Sequence, residues 1–112
     1  MVMRASSSNP ASISSGTVLS LSNFGTTSAD SSGTPGNQTS NTPSGRCSIA
    51  AAGTTVTVTN SLVTAASRVL VCVATNDATA LLKNVVPAAG SFVITMNAAV
   101  TGTTNFNWFV VN

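Results

Sequence analysis

The chain alternates valine with threonine over Thr54-Thr55-Val56-Thr57-Val58-Thr59-Asn60. Successive side chains of an extended chain point to opposite faces, so the alternation places Val56 and Val58 together on one buried face. Gly53 before the run and Asn60-Ser61 after it are turn-forming residues. The stretch therefore predicts a β-strand that packs one face against a core.

Runs of the same type follow on both sides of this stretch. Together with it they give six predicted strands, at residues 46–49, 54–60, 68–75, 80–86, 91–97 and 105–111. Turn formers separate them, and Pro87-Ala88-Ala89-Gly90 is predicted to be a loop. No segment has the 3.6-residue apolar rhythm of a helix. We therefore expect an all-β domain, a small antiparallel β-sandwich or open barrel with an extended N-terminal arm.

The strand predicted at residues 68–75 is apolar on both faces. Valine occupies alternate positions, and Leu70, Cys72 and Ala74 fill the others. This pattern indicates either the centre of a sandwich or a contact between subunits. The side chains predicted to form the core or an oligomer contact are Val69, Val71, Val73, Phe92, Ile94, Phe106, Trp108 and Val110.

The first 45 residues differ in composition from the rest. They are rich in Ser, Thr, Gly, Asn and Pro, whereas residues 46–112 carry most of the large apolar side chains. We predict an arm and linker over residues 1–45 and a β domain over 46–112. Within the arm, residues 17–24 could form a strand in which Leu19, Leu21 and Phe24 contact another subunit or a partner protein. Residues 25–45 are predicted to be a linker that only another subunit could order.

Charge is scarce throughout the chain, at 5 % of residues. A surface with so little charge indicates that partners cover much of it. The basic residues are scattered and form no patch, so no nucleic-acid partner is expected. The longest apolar run, residues 69–74, is far shorter than the ~20 residues of a membrane-spanning helix, so no membrane partner is expected.

Small size favours self-association. A single core in a domain below about 70–80 residues seldom contributes more than ~3–5 kcal/mol, and residues 46–112 contain few aromatic side chains to enlarge it. Oligomerisation is the remaining source of stability. We expect a homo-oligomer, with a trimer as the first hypothesis.

The chain has little material for catalysis or metal binding. It contains no His and no Glu, and its only carboxylate side chains are Asp30 and Asp77. Cys47 and Cys72 would supply two of the four ligands that zinc requires, and no phosphate-binding motif is present. We therefore expect no enzyme activity, no cofactor and no metal.

Three local features have a structural interpretation and a functional one. Cys47 and Cys72 are expected to be reduced, at least partly buried thiols rather than a disulfide. Asn76-Asp77-Ala78-Thr79 is expected to be an Asx-type turn, with a Ca²⁺ or sugar contact as the alternative. Trp108 is expected in the core or a subunit contact, with a carbohydrate platform as the alternative.

Several motifs together resemble a small β domain of tailed-bacteriophage virion proteins. The resemblance covers roughly residues 46–112, and its motifs are Gly45-Arg46-Cys47-Ser48-Ile49-Ala50-Ala51-Ala52-Gly53-Thr54-Thr55-Val56-Thr57-Val58-Thr59-Asn60, Ser61-Leu62-Val63-Thr64, Thr75-Asn76-Asp77-Ala78-Thr79-Ala80, Val85-Val86-Pro87-Ala88-Ala89-Gly90-Ser91-Phe92 and Asn107-Trp108-Phe109-Val110-Val111. The family comprises structural modules of head decoration, fibre and tail proteins. It brings no catalytic motif to this chain.

This resemblance implies a virion structural protein. The first expectation is a capsid decoration (cement) protein that binds the major capsid protein on the head surface. Leu19, Leu21 and Phe24 of the arm would then be the capsid contacts. The alternatives are a tail fibre or receptor-binding module, and a pilus-like subunit that donates residues 17–24 as a strand. Met1-Val2-Met3-Arg4 leads into Ser-rich sequence without an apolar signal segment, so we expect synthesis in the host bacterial cytoplasm and location in the virion.

Overall fold

Two four-stranded sheets pack against each other. The computed structural model describes residues 28–112, which form eight strands and no helix. The strands are β1 (Ser28–Asp30), β2 (Gln38–Thr39), β3 (Ser44–Ile49), β4 (Thr55–Thr59), β5 (Arg68–Val73), β6 (Leu82–Ala88), β7 (Ser91–Met96) and β8 (Thr104–Val111). The all-β prediction is confirmed, and the architecture is the sandwich rather than the open barrel. No helical segment of residues 28–112 has the length and hydropathy needed to cross a membrane.

The two sheets have matching strand orders. The first sheet runs β1-β3-β8-β5 and the second runs β2-β4-β7-β6. The pairs β3–β8, β5–β8, β4–β7 and β6–β7 are antiparallel, whereas β1 and β2 lie parallel to β3 and β4. β5 and β6 are therefore the outermost strands at one end of each strand order, and β1 and β2 at the other.

Alternation along the strands builds the core between the sheets. In β4, Val56 and Val58 are fully buried, as the valine–threonine pattern predicts. The core of the described residues comprises Cys47, Ile49, Val56, Val58, Val63, Ala80, Phe92, Ile94, Met96, Val100, Phe106, Trp108 and Val110. Phe92 of the second sheet meets Trp108 of the first edge to face, with ring centroids 5.3 Å apart. This pair joins the two inner faces near the middle of the sandwich.

The described part of the predicted linker belongs to the sandwich. β1 pairs with β3 and β2 pairs with β4 of the same chain, so residues 28–45 run along one edge of both sheets. Hydrogen bonds to the backbone hold this segment. Asn37 Oδ1 accepts from Thr57 N at 2.8 Å, Asn60 Nδ2 donates to Thr42 O at 2.8 Å, and Ser48 Oγ donates to Ser32 O at 2.9 Å. The predicted boundary at residue 45 thus does not mark the limit of the sheets, and no other subunit is needed to order these residues.

Two strand predictions also need correction. β6 continues through Pro87 to Ala88, so the turn comprises only Ala89 and Gly90, where Gly90 has a φ of 80°. Pro87 fits within β6 because an edge strand need not donate every N–H. β5 is an edge strand rather than a central one, and Leu70 and Cys72 on its outer face are exposed. The sandwich-centre interpretation of residues 68–75 is therefore wrong.

A close approach between β1, β3 and β8 depends on Gly45. A Cβ atom at this position would lie 2.5 Å from Trp108 Cζ2 and 2.6 Å from the carbonyl oxygen of Ala29. Gly45 pairs directly with Trp108 across the strands, so the indole lies over the glycine backbone. Only a residue without a side chain leaves room for both the indole and the parallel strand β1.

Replacing Gly45 by alanine should therefore destabilise the fold. We expect the G45A variant to lose about 2–3 kcal/mol in the free energy of unfolding, because the added methyl group overpacks against a buried ring and a backbone oxygen. Urea unfolding followed by Trp108 fluorescence measures this loss. Gly33→Ala is the matched control, since a Cβ there meets nothing within 4 Å and should change stability by less than ~0.5 kcal/mol. Equal stability of the two variants would contradict the packing argument.

Candidate interaction surface

The two cysteines lie on opposite faces of the first sheet. Cys47 on β3 pairs with Phe106 and faces the core, whereas Cys72 on β5 pairs with Asn107 and faces outward. Two strand spacings, about 10 Å, separate β3 from β5, and a disulfide tolerates Cα atoms no more than ~7 Å apart. Both thiols are free. The expectation that Cys72 is partly buried is wrong, because its edge strand has nothing packed on the outer face within the described residues.

Burial decides the reactivity of Cys47. Desolvation disfavours the thiolate and raises the pKa of Cys47 to about 12, so the thiol stays protonated at neutral pH. A nucleophile would need the opposite shift. Cys72 is accessible, and its Sγ lies 3.8 Å from Asn107 Nδ2, which is a neutral neighbour.

Alkylation should distinguish the two thiols. In native protein at pH 7.5 we expect iodoacetamide to modify Cys72 and leave Cys47 unmodified, because Cys47 is both buried and protonated. In urea both should react. Mass spectrometry of peptides counts the labels, and Cys72→Ser is the control that should show almost no native labelling. A Cys47–Cys72 disulfide in native monomer would contradict the opposite-face arrangement.

Asp77 joins two loops rather than forming an open ligand site. Its Oδ1 accepts hydrogen bonds from the backbone N–H groups of Thr79 and Ala80 at 3.0 and 2.8 Å. Its Oδ2 accepts from both the backbone N and Oγ1 of Thr101 at 2.8 Å. These donors, led by the Ala80 N–H, hold the pKa of Asp77 far below its usual range. The carboxylate oxygens are thus occupied by protein donors, as the Asx-turn interpretation predicts.

This arrangement predicts a pH-dependent effect of Asp77→Asn. The folded state favours the ionised carboxylate, so its stabilising contribution is present above pH ~4 and is lost as pH falls through the lower folded-state pKa. We expect D77N to lower the thermal unfolding midpoint near pH 7, and the difference from wild type to shrink between pH 4 and pH 2. Asp30→Asn is the control: hydrogen bonds from Ser32 also lower the pKa of Asp30, but its carboxylate is exposed and joins no second loop, so D30N should show a smaller deficit than D77N. A D77N deficit that is constant with pH would contradict the assignment.

Exposed apolar side chains concentrate along one side of the sandwich. Six large apolar residues are exposed in residues 28–112, and five of them lie on or next to β5 and β6. We call these five the apolar side: Leu70, Val73, Leu81, Val86 and Phe109. Leu70 and Leu81 are the most exposed, at 62 % and 67 %. Leu70 and Phe109 face outward from the first sheet and Val86 faces outward from the second, so the apolar side extends around the β5–β6 edge. Such a concentration along one edge is typical of an interaction surface, whereas apolar residues scattered singly need no explanation.

Two shallow grooves lie within the apolar side. One, of about 370 Å³, separates the end of β5 from the start of β6 and is lined in part by Val73, Asp77 and Leu81. The other, of about 270 Å³, lies on the outer face of β5 and β8 between Leu70 and Phe109. Both are open and mainly apolar. Neither contains a cluster of ionisable groups, and residues 28–112 hold no group of three His, Cys, Asp or Glu side chains that could bind a metal ion.

The structure divides the predicted contact residues into three groups. Phe92, Ile94, Phe106, Trp108 and Val110 are buried in the core. Val69 and Val71 are half-buried against it, and Val73 at the end of β5 is exposed. The predicted arm contacts Leu19, Leu21 and Phe24 lie outside the described residues.

Sequence reasoning did not single out Leu81, Val86 or Phe109. A signal existed for Phe109, because it alternates with the inward-facing Trp108 and Val110 and must therefore face outward. The exposure of Leu81 and Val86 follows from the position of β6 at the edge of its sheet, which the sequence does not reveal.

Comparisons with known proteins identify no family for this chain. None of the family models, curated proteins or solved structures compared with the chain matches it significantly.

Proposed function

We propose that this chain is a structural protein of a tailed-bacteriophage virion, which decorates the head by binding the major capsid protein and stabilises the capsid surface. The observation that carries the proposal is the apolar side, where five exposed apolar residues line β5, β6 and the neighbouring β8. A decoration protein works through broad surface contact, and an apolar surface without an ionisable cluster is suited to that work. The motifs that resemble virion β domains supply the biological context.

Composition supports assembly rather than catalysis. A chain with 5 % charged residues has a surface that repels neighbouring copies weakly, so burial of the apolar side meets little electrostatic resistance. Burial raises the pKa of Cys47 to about 12, which makes this thiol unreactive at neutral pH. The homotrimer expected from the sequence stays a prediction.

A tail fibre or receptor-binding module is the second candidate. Phe109, 39 % exposed beside the groove of about 270 Å³, is the observation that favours it, because glycan-binding sites use exposed aromatic rings. Asn107 at the same groove would supply a polar group. Strand donation in the manner of a pilus subunit rests on residues 17–24, which lie outside the described part of the chain.

Binding to particles tests the proposal. Gold-labelled protein, added to phage particles stripped of it, should appear on heads by electron microscopy. Val86→Lys should weaken this binding about tenfold, because burial of one valine side chain contributes roughly 1.5 kcal/mol. Thr59→Lys is the matched control, since Thr59 is exposed on β4 of the same sheet but outside the apolar side. Label at the tail tip would support the second candidate, and label at neither place would contradict both.

The same assay tests the arm contacts. Deletion of residues 1–25 removes no described strand, since β1 begins at Ser28. We expect the truncated chain to keep its β-type circular dichroism and to bind heads at least tenfold more weakly, because Leu19, Leu21 and Phe24 no longer contribute. Unchanged binding would show that the described sandwich alone contacts the capsid.

A further inference from the structure

The four edges of the sandwich are not equally protected. An uncovered edge strand presents free backbone N–H and C=O groups, and proteins block such edges with short strands, lysine, proline or bulges. β1 has three residues and includes Asp30, and β2 has two residues. Both are too short to offer another strand a long pairing partner.

β6 carries three separate blocks against pairing. The register shifts between Leu82 and Asn84, so that Lys83 stands in a bulge. Pro87, within the same strand, has no N–H to donate. A second chain could not form a regular ladder along this edge.

Within residues 28–112, β5 carries none of these blocks. Its six residues, Arg68 to Val73, contain no Pro, Gly or Lys, and they pair with β8 in an unbroken register. Ala74 N donates to Asn105 O at 2.8 Å, which fixes which residues of the strand bond to β8. Because bonding alternates along an antiparallel pair, Leu70 and Cys72 direct their backbone groups to β8, and the groups of Val69, Val71 and Val73 point to the open edge.

We propose that β5 pairs antiparallel with β5 of a second copy of this chain, around a two-fold axis at Val71. This register pairs Val71 with Val71 of the second copy, and Val69 with Val73 of the second copy. Every residue of the strand whose backbone groups point to the open edge is then hydrogen-bonded. The two first sheets then form one continuous sheet. Leu70 packs beside Cys72 of the second copy on the outer face.

The edge presented by Val69, Val71 and Val73 is the same when read from either end, which favours a second copy as the occupant, and charge selects the antiparallel direction. Arg68 is the only charged residue of β5. In the two-fold register each Arg68 lies opposite Ala74 at one end of the paired strands, so the two guanidinium groups are far apart. Parallel pairing in register would place them side by side, which is unfavourable. In this dimer the β6 strands of the two copies face each other across the two-fold axis. Lys83 and Pro87 keep these two strands from pairing.

The inference rests on the self-assembly in the proposed function, and it gives that assembly a definite geometry. A two-fold contact closes with two copies, whereas a trimer would need β5 to bind a different surface. Sedimentation therefore separates a dimer from the trimer expected on sequence grounds. Dimerisation and particle binding are measured independently, so either proposal can fail without the other.

Substitution at the axis tests the contact in the full chain. Val71→Pro removes an N–H that points to the open edge and leaves the bonds to β8 in place. We expect wild type to sediment as a dimer at micromolar concentration, and V71P to raise the dimer dissociation constant about thirtyfold, since both hydrogen bonds of the central pair are lost. Val71→Ala keeps the N–H and should remain dimeric. A wild-type monomer or trimer, or a V71P dimer as tight as wild type, would overturn the inference.

Two further variants keep the test decisive if V71P does not fold. Leu70→Lys adds a charge to the outer face of the pairing edge, whereas Leu81→Lys adds one at an equally exposed position off that edge. Only the first should produce monomer. Leu70→Cys should form an intermolecular disulfide with the native Cys72 under mild oxidation, faster than Val86→Cys forms any. Equal rates of cross-linking, or equal dimer dissociation by both lysine variants, would refute the register.

Discussion

The contact between Phe92 and Trp108 is the constraint on which the sandwich depends. The two rings come from the middle strands of opposite sheets, and their edge-to-face arrangement at 5.3 Å holds the inner faces together. Aromatic side chains are scarce, at 4 % of the chain, so one such pair carries an unusual share of the apolar burial. Trp108 can lie there only because Gly45 has no side chain, and the space above that glycine also admits Ala29 of β1. Gly45 is thus required both for the packing of Trp108 in the core and for the pairing of β1 with β3.

Much of the sandwich was predictable, because period-two alternation directly reports which side chains face a core. Val56 and Val58 on β4, and Phe92, Ile94 and Met96 on β7, follow that rule. Residues 28–45 were not predictable in this way. Their order comes from side-chain and backbone hydrogen bonds, such as those of Asn37 and Asn60, rather than from apolar burial. A polar segment held by bonds to distant partners has the same composition as a linker, so composition could not distinguish the two.

The candidate site was predictable in part for a related reason. The apolar sequence of β5 indicated that both of its faces meet something, and its inner face does pack on the core through Val69 and Val71. Whether the outer face is buried depends on the position of β5 within the sheet, which is a property of topology. Strand order also brings Leu81 and Val86 to the side where Leu70 lies exposed. Residues that are unremarkable in sequence thereby lie along the same β5–β6 side of the sandwich, Leu70 on the outer face of the first sheet and Val86 on that of the second.

The distribution of edge protection links this surface to assembly. The segment 28–45 covers β3 and β4 with strands too short to recruit another chain, and β6 combines a bulge, Lys83 and Pro87. Selection against uncontrolled pairing explains three blocked edges, yet no residue of 28–112 blocks β5, and use of that edge in assembly accounts for the difference. Surface charge opposes aggregation through an open strand, and this chain has few charged residues. Leu70, exposed beside the same edge, adds an apolar contact with Cys72 of the second copy that backbone pairing alone would lack. The most economical physical account is that β5 is covered in the assembled state.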